Sequence, residues 1–379
     1  MLTSFSAIPA AAWDALHDGG NPFIRHEFLA QLEHTGCVGP HNGWQPRIFV
    51  LRDAKGLLAA APAWLKSHSF GEFVFDFSWA QAYARHGLAY YPKLVIGVPF
   101  TPVTGPRLLV RSDANGPATR ERLLSAVIAN ASDSDLSSIH LLFAAGEDLR
   151  AAIATGFLAR EDCQFHWHNG SYRNFDEYLA TFTAEHRKKT RQERRYVLAA
   201  GVRFETRHGH DLTNAEIARV HQLIENTFNQ RGHEPYVSAA FLSATARDLG
   251  PRMMVQLAFA GAEIVGTAVF FRGTNSLYGR YWGSDRFINC LHFEACYYRG
   301  IDYCIEHGIA HFDPGVQGEH KIKRGFGAHI TRSAHWLADT RFRAAIAQFL
   351  ARESKAVAEY AGSVANHLPF KQTAFDPES

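Results

Sequence analysis

Apolar positions along this 379-residue chain switch between helical and strand spacing in an order that occurs twice. Residues 9–36 predict helical pieces broken at Gly19-Gly20-Asn21-Pro22, with Asn21 or Pro22 suited to open the second piece. The apolar runs flanking Asp53-Ala54-Lys55-Gly56 predict a hairpin. Residues 73–110 are aromatic, then rich in Pro and Gly, and end in the strand-like Leu108-Leu109-Val110. An amphipathic helix over 117–131, a short buried strand over 138–143 and a helix over 144–156 follow, the last closed by Gly156. In the second half, 174–182 and 184–200 predict helices, the latter stopped by Gly201. A strand over 202–206, a helix over 215–229, strands over 253–260, 264–271 and 276–282, a helix over 293–307 and a strand at 311–313 complete the series.

Helices, an antiparallel meander, then a helix and a strand, twice over, imply an α/β fold with mixed, largely antiparallel sheets. The polar, turn-forming His166-Trp167-His168-Asn169-Gly170 places the boundary between domains at 1–168 and 169–340. Residues 341–379 form a tail with a long helix over 341–364, whose docking the pattern does not specify. The length also exceeds that of one ordinary core.

Composition removes several function classes. With 46% hydrophobic and 20% charged residues, disorder, collagen-like repeats and coiled coil are poor descriptions. The balance of 39 basic against 37 acidic residues is too even for bulk charge to imply a nucleic-acid or membrane partner. The five cysteines include no C-x-x-C pair, which suits reduced thiols better than zinc ligation. No metal site is expected, and His166 and His168 would be a weak pair at best. A basic n-region with an apolar h-region is missing at the N-terminus, and no apolar run reaches membrane-spanning length, so a cytoplasmic chain is expected. A nucleophile elbow, a Walker loop and H-E-x-x-H are all missing.

The densest chemistry lies in His311-Phe-Asp-Pro-Gly-Val-Gln-Gly-Glu-His-Lys-Ile-Lys-Arg-Gly-Phe-Gly327, where a strand runs into a Gly-rich loop. Glycines let backbone approach a ligand and turn amide N–H groups toward developing negative charge. Glu319 or His320 would move a proton, while Lys321 and Arg324 would meet substrate. The alternative is an exposed polar turn. Arg187, Lys188, Arg191, Arg194 and Arg195 recur at helical spacing, so one face carries several cations. Such a face suits donor or tRNA phosphates, or is a solvated helix surface. A single basic helix without a partner helix is no DNA reader. Glu294 is a candidate general base beside Arg280, Tyr281 and His292, or else a residue favouring a helix N-terminus. Trp79, Tyr83 and Lys93 are candidates for a substrate wall, or for the core.

The loop resembles the F-K-x-x-F-G segment of the Fem family, with Ile322 in place of Phe. The stretch 187–202 is similar to that family's K-T-R-x-x-I-R-x-A-x-x-x-G-V helix, with Arg194 in place of Ile. Ser78-Trp-Ala-Gln-Ala-Tyr83, Tyr90-Tyr-Pro-Lys-Leu94, the run from Val98 to Arg107, Tyr278-Gly-Arg-Tyr-Trp-Gly283 and the run from Leu291 to Tyr298 resemble the FemAB-like branch of predicted N-acyltransferases. The resemblance implies a tandem pair of acetyltransferase-like (GNAT-like) domains and acyl or aminoacyl transfer to a small-molecule or peptide amine. It maps the family's catalytic-loop lysine onto Lys323. No tightly bound cofactor is implied; the donor is an aminoacyl-tRNA or an acyl-CoA. Arg280-Tyr-Trp-Gly283-Ser-Asp285 begins like a pyrophosphate-binding loop, but Asp285 would repel a phosphate. Three readings follow: an N-acyltransferase, an aminoacyl-tRNA-dependent ligase of cell-wall or natural-product biosynthesis, and a non-catalytic binding protein on a degenerate scaffold of this type. The oligomeric state is not specified.

Overall fold

A computed structural model describes residues 1–316 and 318–371. Its contacts divide into two compact units, Met1–Cys163 with Ile330–Glu359, and Gln164–His329 with Tyr360–Ser379. The division differs from the expected one: the cut falls between Cys163 and Gln164, and the segment after 340 is shared between the units. Residues 330–359 fold with the first half, because Ala334–Leu337 pair with Ser138–Leu141 and because Ile346 and Leu350 pack on Trp79, Tyr83 and Tyr90.

In the first unit, strand Lys93–Ile96 lies between Ala63–Lys66, antiparallel, and Ser138–Leu141, parallel. The strand Gly327–Leu337 follows Ser138–Leu141 in the sheet. The expected hairpin is present as Phe49–Asp53 and Gly56–Ala61, closing on the pair Asp53 and Gly56, in a separate three-stranded sheet. Helix Gly116–Asp133 makes the crossover between the parallel strands and buries Leu123, Leu124 and Val127 against Leu94, Ile139 and Leu141. Asn115 caps it by accepting from the Ala118 amide. The aromatic segment holds a helix that the pattern left unassigned, Phe77–Arg85, whose Trp79 and Tyr83 are buried.

The second unit is a meander, Val202–His208, Met253–Ala260, Glu263–Arg272 and Ser276–Ser284, each strand antiparallel to a neighbour. Met253–Phe259 is buried at every position, apolar apart from Gln256, whose side-chain amide donates to Thr206. After Ser276–Ser284 the chain crosses over through residues 291–306 and returns parallel as His311–Asp313, with Leu277 beside Phe312. The crossover contains a π-helical turn at Glu294–Tyr298. The core beneath it is aromatic: Trp167, Tyr178, Phe270, Tyr297, Phe312 and Phe326. Helix Asn214–Asn229 starts in a capping box between Thr213 and Glu216, and Gly283 seats it closely. A Cβ at Gly283 would lie 2.2 Å from the carbonyl carbon of Leu223.

Candidate functional site

Strand His311–Asp313 delivers the chain into the Gly-rich loop, which tightens into a 3-10 turn over Glu319–Arg324. Three residues per turn put positions 321 and 324 on one side and 323 on another. Lys321 and Arg324 are accordingly buried, and Lys323 is exposed. The turn ends at Gly325, whose φ of 85° requires glycine. A Cβ there would sit 2.0 Å from the Tyr178 hydroxyl oxygen, the group that donates to the Arg324 carbonyl over 2.7 Å.

The charged side chains of the loop each have a definite partner or a definite exposure. The Lys321 ammonium donates to the Gly315 carbonyl, and burial pushes its pKa down to about 8 against the pull of Asp313. Asp313 accepts from the Gly315 amide at 2.8 Å; burial raises its carboxyl, opposed by that hydrogen bond, Arg280 and Lys321. Burial likewise pulls Arg280 below the usual guanidinium range, with Tyr281 and Asp313 opposing. Arg324 grips both carboxylate oxygens of Glu193 at 2.8 Å, donates to the His320 carbonyl at 2.5 Å and lies 3.5 Å from the Phe293 ring centroid. His320 is exposed, its Nε2 is 2.8 Å from the Tyr297 hydroxyl, and partial burial with the nearby Arg324 and Lys321 lowers its pKa. A neutral imidazole on an open face is a competent proton acceptor near pH 7. Glu319 is exposed and accepts from Tyr360 at 2.8 Å.

Helix Ala184–Ala199 has two faces. Thr190, Glu193 and Val197 point inward, spaced by three and four residues. Arg187, Lys188, Arg191, Arg194 and Arg195 line a groove of about 520 Å³ with Phe175, Asp176 and Leu179. Asp176 is the one carboxylate in that lining, and Arg191 pairs with it at 3.1 Å. Arg194 forms a fork to Glu294 at 3.0 and 3.1 Å and also reaches Asp302 at 2.7 Å.

Sequence and fold were compared with known proteins. A family model described as FemAB-like, peptidoglycan biosynthesis/recognition, matches residues 4–372. The chain belongs to the FemAB-like family. The crystal structure of FemX superposes with a TM-score of 0.53 at 13% identity, covering 92% of this chain and 99% of that one. L-PGS from Bacillus licheniformis gives 0.53 at 12% identity, over 87% and 95% of the two chains. The C-terminal domain of a putative lysylphosphatidylglycerol synthetase from Agrobacterium fabrum gives 0.50 at 10% identity, over 80% and 88%. The α/β fold with mixed sheets is therefore shared with these proteins. A search of curated proteins returned no match.

Several residues of this FemAB-like chain lie elsewhere than the sequence suggested. Lys323 is exposed, and the buried loop lysine is Lys321. Arg324 is 6% exposed and clamps protein groups, where a substrate contact was expected. Glu294 is held by Arg194 and, at 2.9 Å, by Arg299, so the candidate base is an occupied ion-pair partner. Lys93 is fully buried between Glu72 and Asp76, and Trp79 and Tyr83 are in the core of the first unit, so none offers a substrate wall. His292 is half-buried among Trp282, Phe293, Tyr297 and His320, and burial pushes it down to about 3. Tyr281 is buried. Gly283 serves helix packing, and Asp285 is paired with Arg219 and Arg286. Among the described residues no group of three or more His, Cys, Asp or Glu side chains is disposed to hold a metal, and no helix is long and apolar enough to cross a membrane. Glu193, Tyr297 and Asp313 were missed. A lone carboxylate in a run of six cations at 187–195 was the available signal for Glu193.

Proposed function

We propose that this FemAB-like chain is an N-acyltransferase that moves an aminoacyl group from a phosphate-rich donor, an aminoacyl-tRNA, to the amine of a peptide or small-molecule acceptor. The observation that carries the reading is the groove, lined by five cations of one helix and one carboxylate, Asp176, with Arg194 also paired to Glu294 and Asp302 behind it. Phosphate chains bind such surfaces through charge-assisted contacts. The acyl-CoA alternative is less favoured, because Gly283, in the segment that begins like a pyrophosphate-binding loop, packs against a helix backbone, and Asp285 is taken up by Arg219 and Arg286.

The chemistry needs three things from the protein. The acceptor arrives as an ammonium and must lose a proton; His320, neutral and braced by Tyr297, takes it. The freed amine attacks the ester carbonyl, and the carbonyl oxygen becomes an alkoxide. Of the three loop cations, Lys321 and Arg324 are occupied inside the protein, so Lys323 is the one available to that oxygen once substrate covers it. The attached nitrogen gives up its second surplus proton to water, collapse breaks the ester bond, and the proton held by His320 goes to the departing hydroxyl oxygen. Positioning and electrostatics supply the acceleration.

The test is transfer of a radiolabelled amino acid from charged tRNA to a peptide amine, with and without RNase, beside a parallel assay with acyl-CoA. Transfer from charged tRNA that RNase abolishes is expected. Sustained transfer from acyl-CoA would overturn the donor assignment. Binding of both donors with turnover of neither would point instead to a binding protein.

A further inference from the structure

The basic helix is connected to the loop histidine by two routes, one through the π-helical turn and one through a buried ion pair. Arg194 lines the groove and is itself shared: its fork holds Glu294, the first residue of the π-helical turn. Three residues further on that turn, the Tyr297 hydroxyl bonds to His320 Nε2 at 2.8 Å. The second route starts at the neighbouring residue. Glu193 holds Arg324, which holds the His320 carbonyl, and Tyr298 of the same π-turn donates to Glu193 at 2.5 Å. One route therefore fixes the imidazole and the other fixes the backbone carrying it. π-turns inside helices concentrate at functional sites because they misalign one turn of backbone and can relax.

The groove end of this arrangement is competitive. Arg194 keeps 25% of its side-chain surface exposed, while Glu294 keeps 4%. An anion entering the groove reaches the guanidinium from its open side and draws on the charge that now serves Glu294 and Asp302. Arginine's planar fork makes that exchange directional, which a lysine ammonium would not reproduce. We propose that Arg194 and Glu193 are positioning residues that make the aim of the His320 imidazole depend on whether a phosphate group occupies the basic groove. This rests on the phosphate reading of the groove and adds that donor binding prepares the proton acceptor before the amine arrives. Such coupling is a free energy between two sites, so it is measurable without turnover.

The probe is inorganic pyrophosphate, titrated into full-length protein carrying ring-labelled histidine, with the His320 resonance followed by NMR and identified from its loss in His320→Gln. In the wild-type protein, binding is expected to shift that resonance and change its titration midpoint. Arg194→Lys is expected to reduce the His320 response at saturating pyrophosphate at least about fivefold, whatever affinity it retains. Glu193→Gln, which releases the other route, is expected to broaden the resonance before any ligand is added; it also serves if Arg194→Lys does not fold. Pyrophosphate binding with no response at His320, or an undiminished response in Arg194→Lys, overturns the coupling and leaves the groove assignment standing. No pyrophosphate binding at all overturns the groove assignment, and the coupling with it.

Discussion

Two clusters of buried charge, one in each unit, differ in what they connect. In the first unit Lys93 donates to Glu72 at 2.8 Å, to Ser69 at 2.9 Å and to Asp76, and Tyr90 adds a 2.5 Å bond to Asp76. The cluster runs on through His140 to His335 and is sealed throughout. It leaves Glu72 Oε1, Asp76 Oδ1 and His335 Nε2 buried without a hydrogen bond. In the second unit Glu193 uses both oxygens on Arg324, which reaches the carbonyl of the exposed His320, and beside it Glu294 is held by Arg194 of the groove. A sealed cluster changes how firmly a unit holds together. A cluster that ends on the surface changes what the surface can do.

The largest expected effect tests the sealed cluster. Lys93→Met leaves two carboxylates without their cation, and loss of about 3–5 kcal/mol is expected in urea unfolding, since removing one partner of a buried pair strands the other. A change under about 1 kcal/mol would mean that the carboxylates protonate at little cost. Next, Lys323→Ala is expected to lower the turnover number about 100-fold while leaving the unfolding midpoint unchanged, as the loss of one oxyanion donor does. Equal activity would remove that role. The paired change Arg187→Ala with Arg191→Ala is expected to flatten the dependence of log affinity for RNA on log salt by about two units; a parallel line would show that phosphates do not lie there. The smallest effect is in the pH profile. Burial and neighbouring cations depress His320, so its basic form persists below pH 6.5, and the acid limb of kcat/KM is expected below that value. In His320→Gln that limb should vanish.

Much of the fold was legible because its signals are local. Gly201, with φ of 72°, ends the basic helix where the pattern placed its stop, and the turn at Asp53–Gly56 closes the hairpin. The groove was legible for the same reason, since five cations on one helix share a face by spacing alone. What could not be read depends on contacts far apart in sequence. Nothing in Tyr90-Tyr-Pro-Lys-Leu94 shows that Lys93 is met by acids 17 and 21 residues earlier. Nor does the motif say which of Lys321 and Lys323 turns inward, because a 3-10 turn chooses the face and an α-helical turn would choose another. The domain boundary failed similarly. Residues 330–337 carry no local mark of the strand they join, and only pairing with Ser138–Leu141 assigns them to the first unit.

That returning strand bears on how the molecule is made. While the ribosome is still reading the codons of the second unit, Ser138–Leu141 has Lys93–Ile96 on one side and no neighbour on the other. Its free edge stays open until nearly 200 further residues have been synthesised, as counted from Leu141 to Leu337. A polypeptide ending near residue 165 would keep that edge for good, so dissection of this gene into halves is expected to give a first half that self-associates.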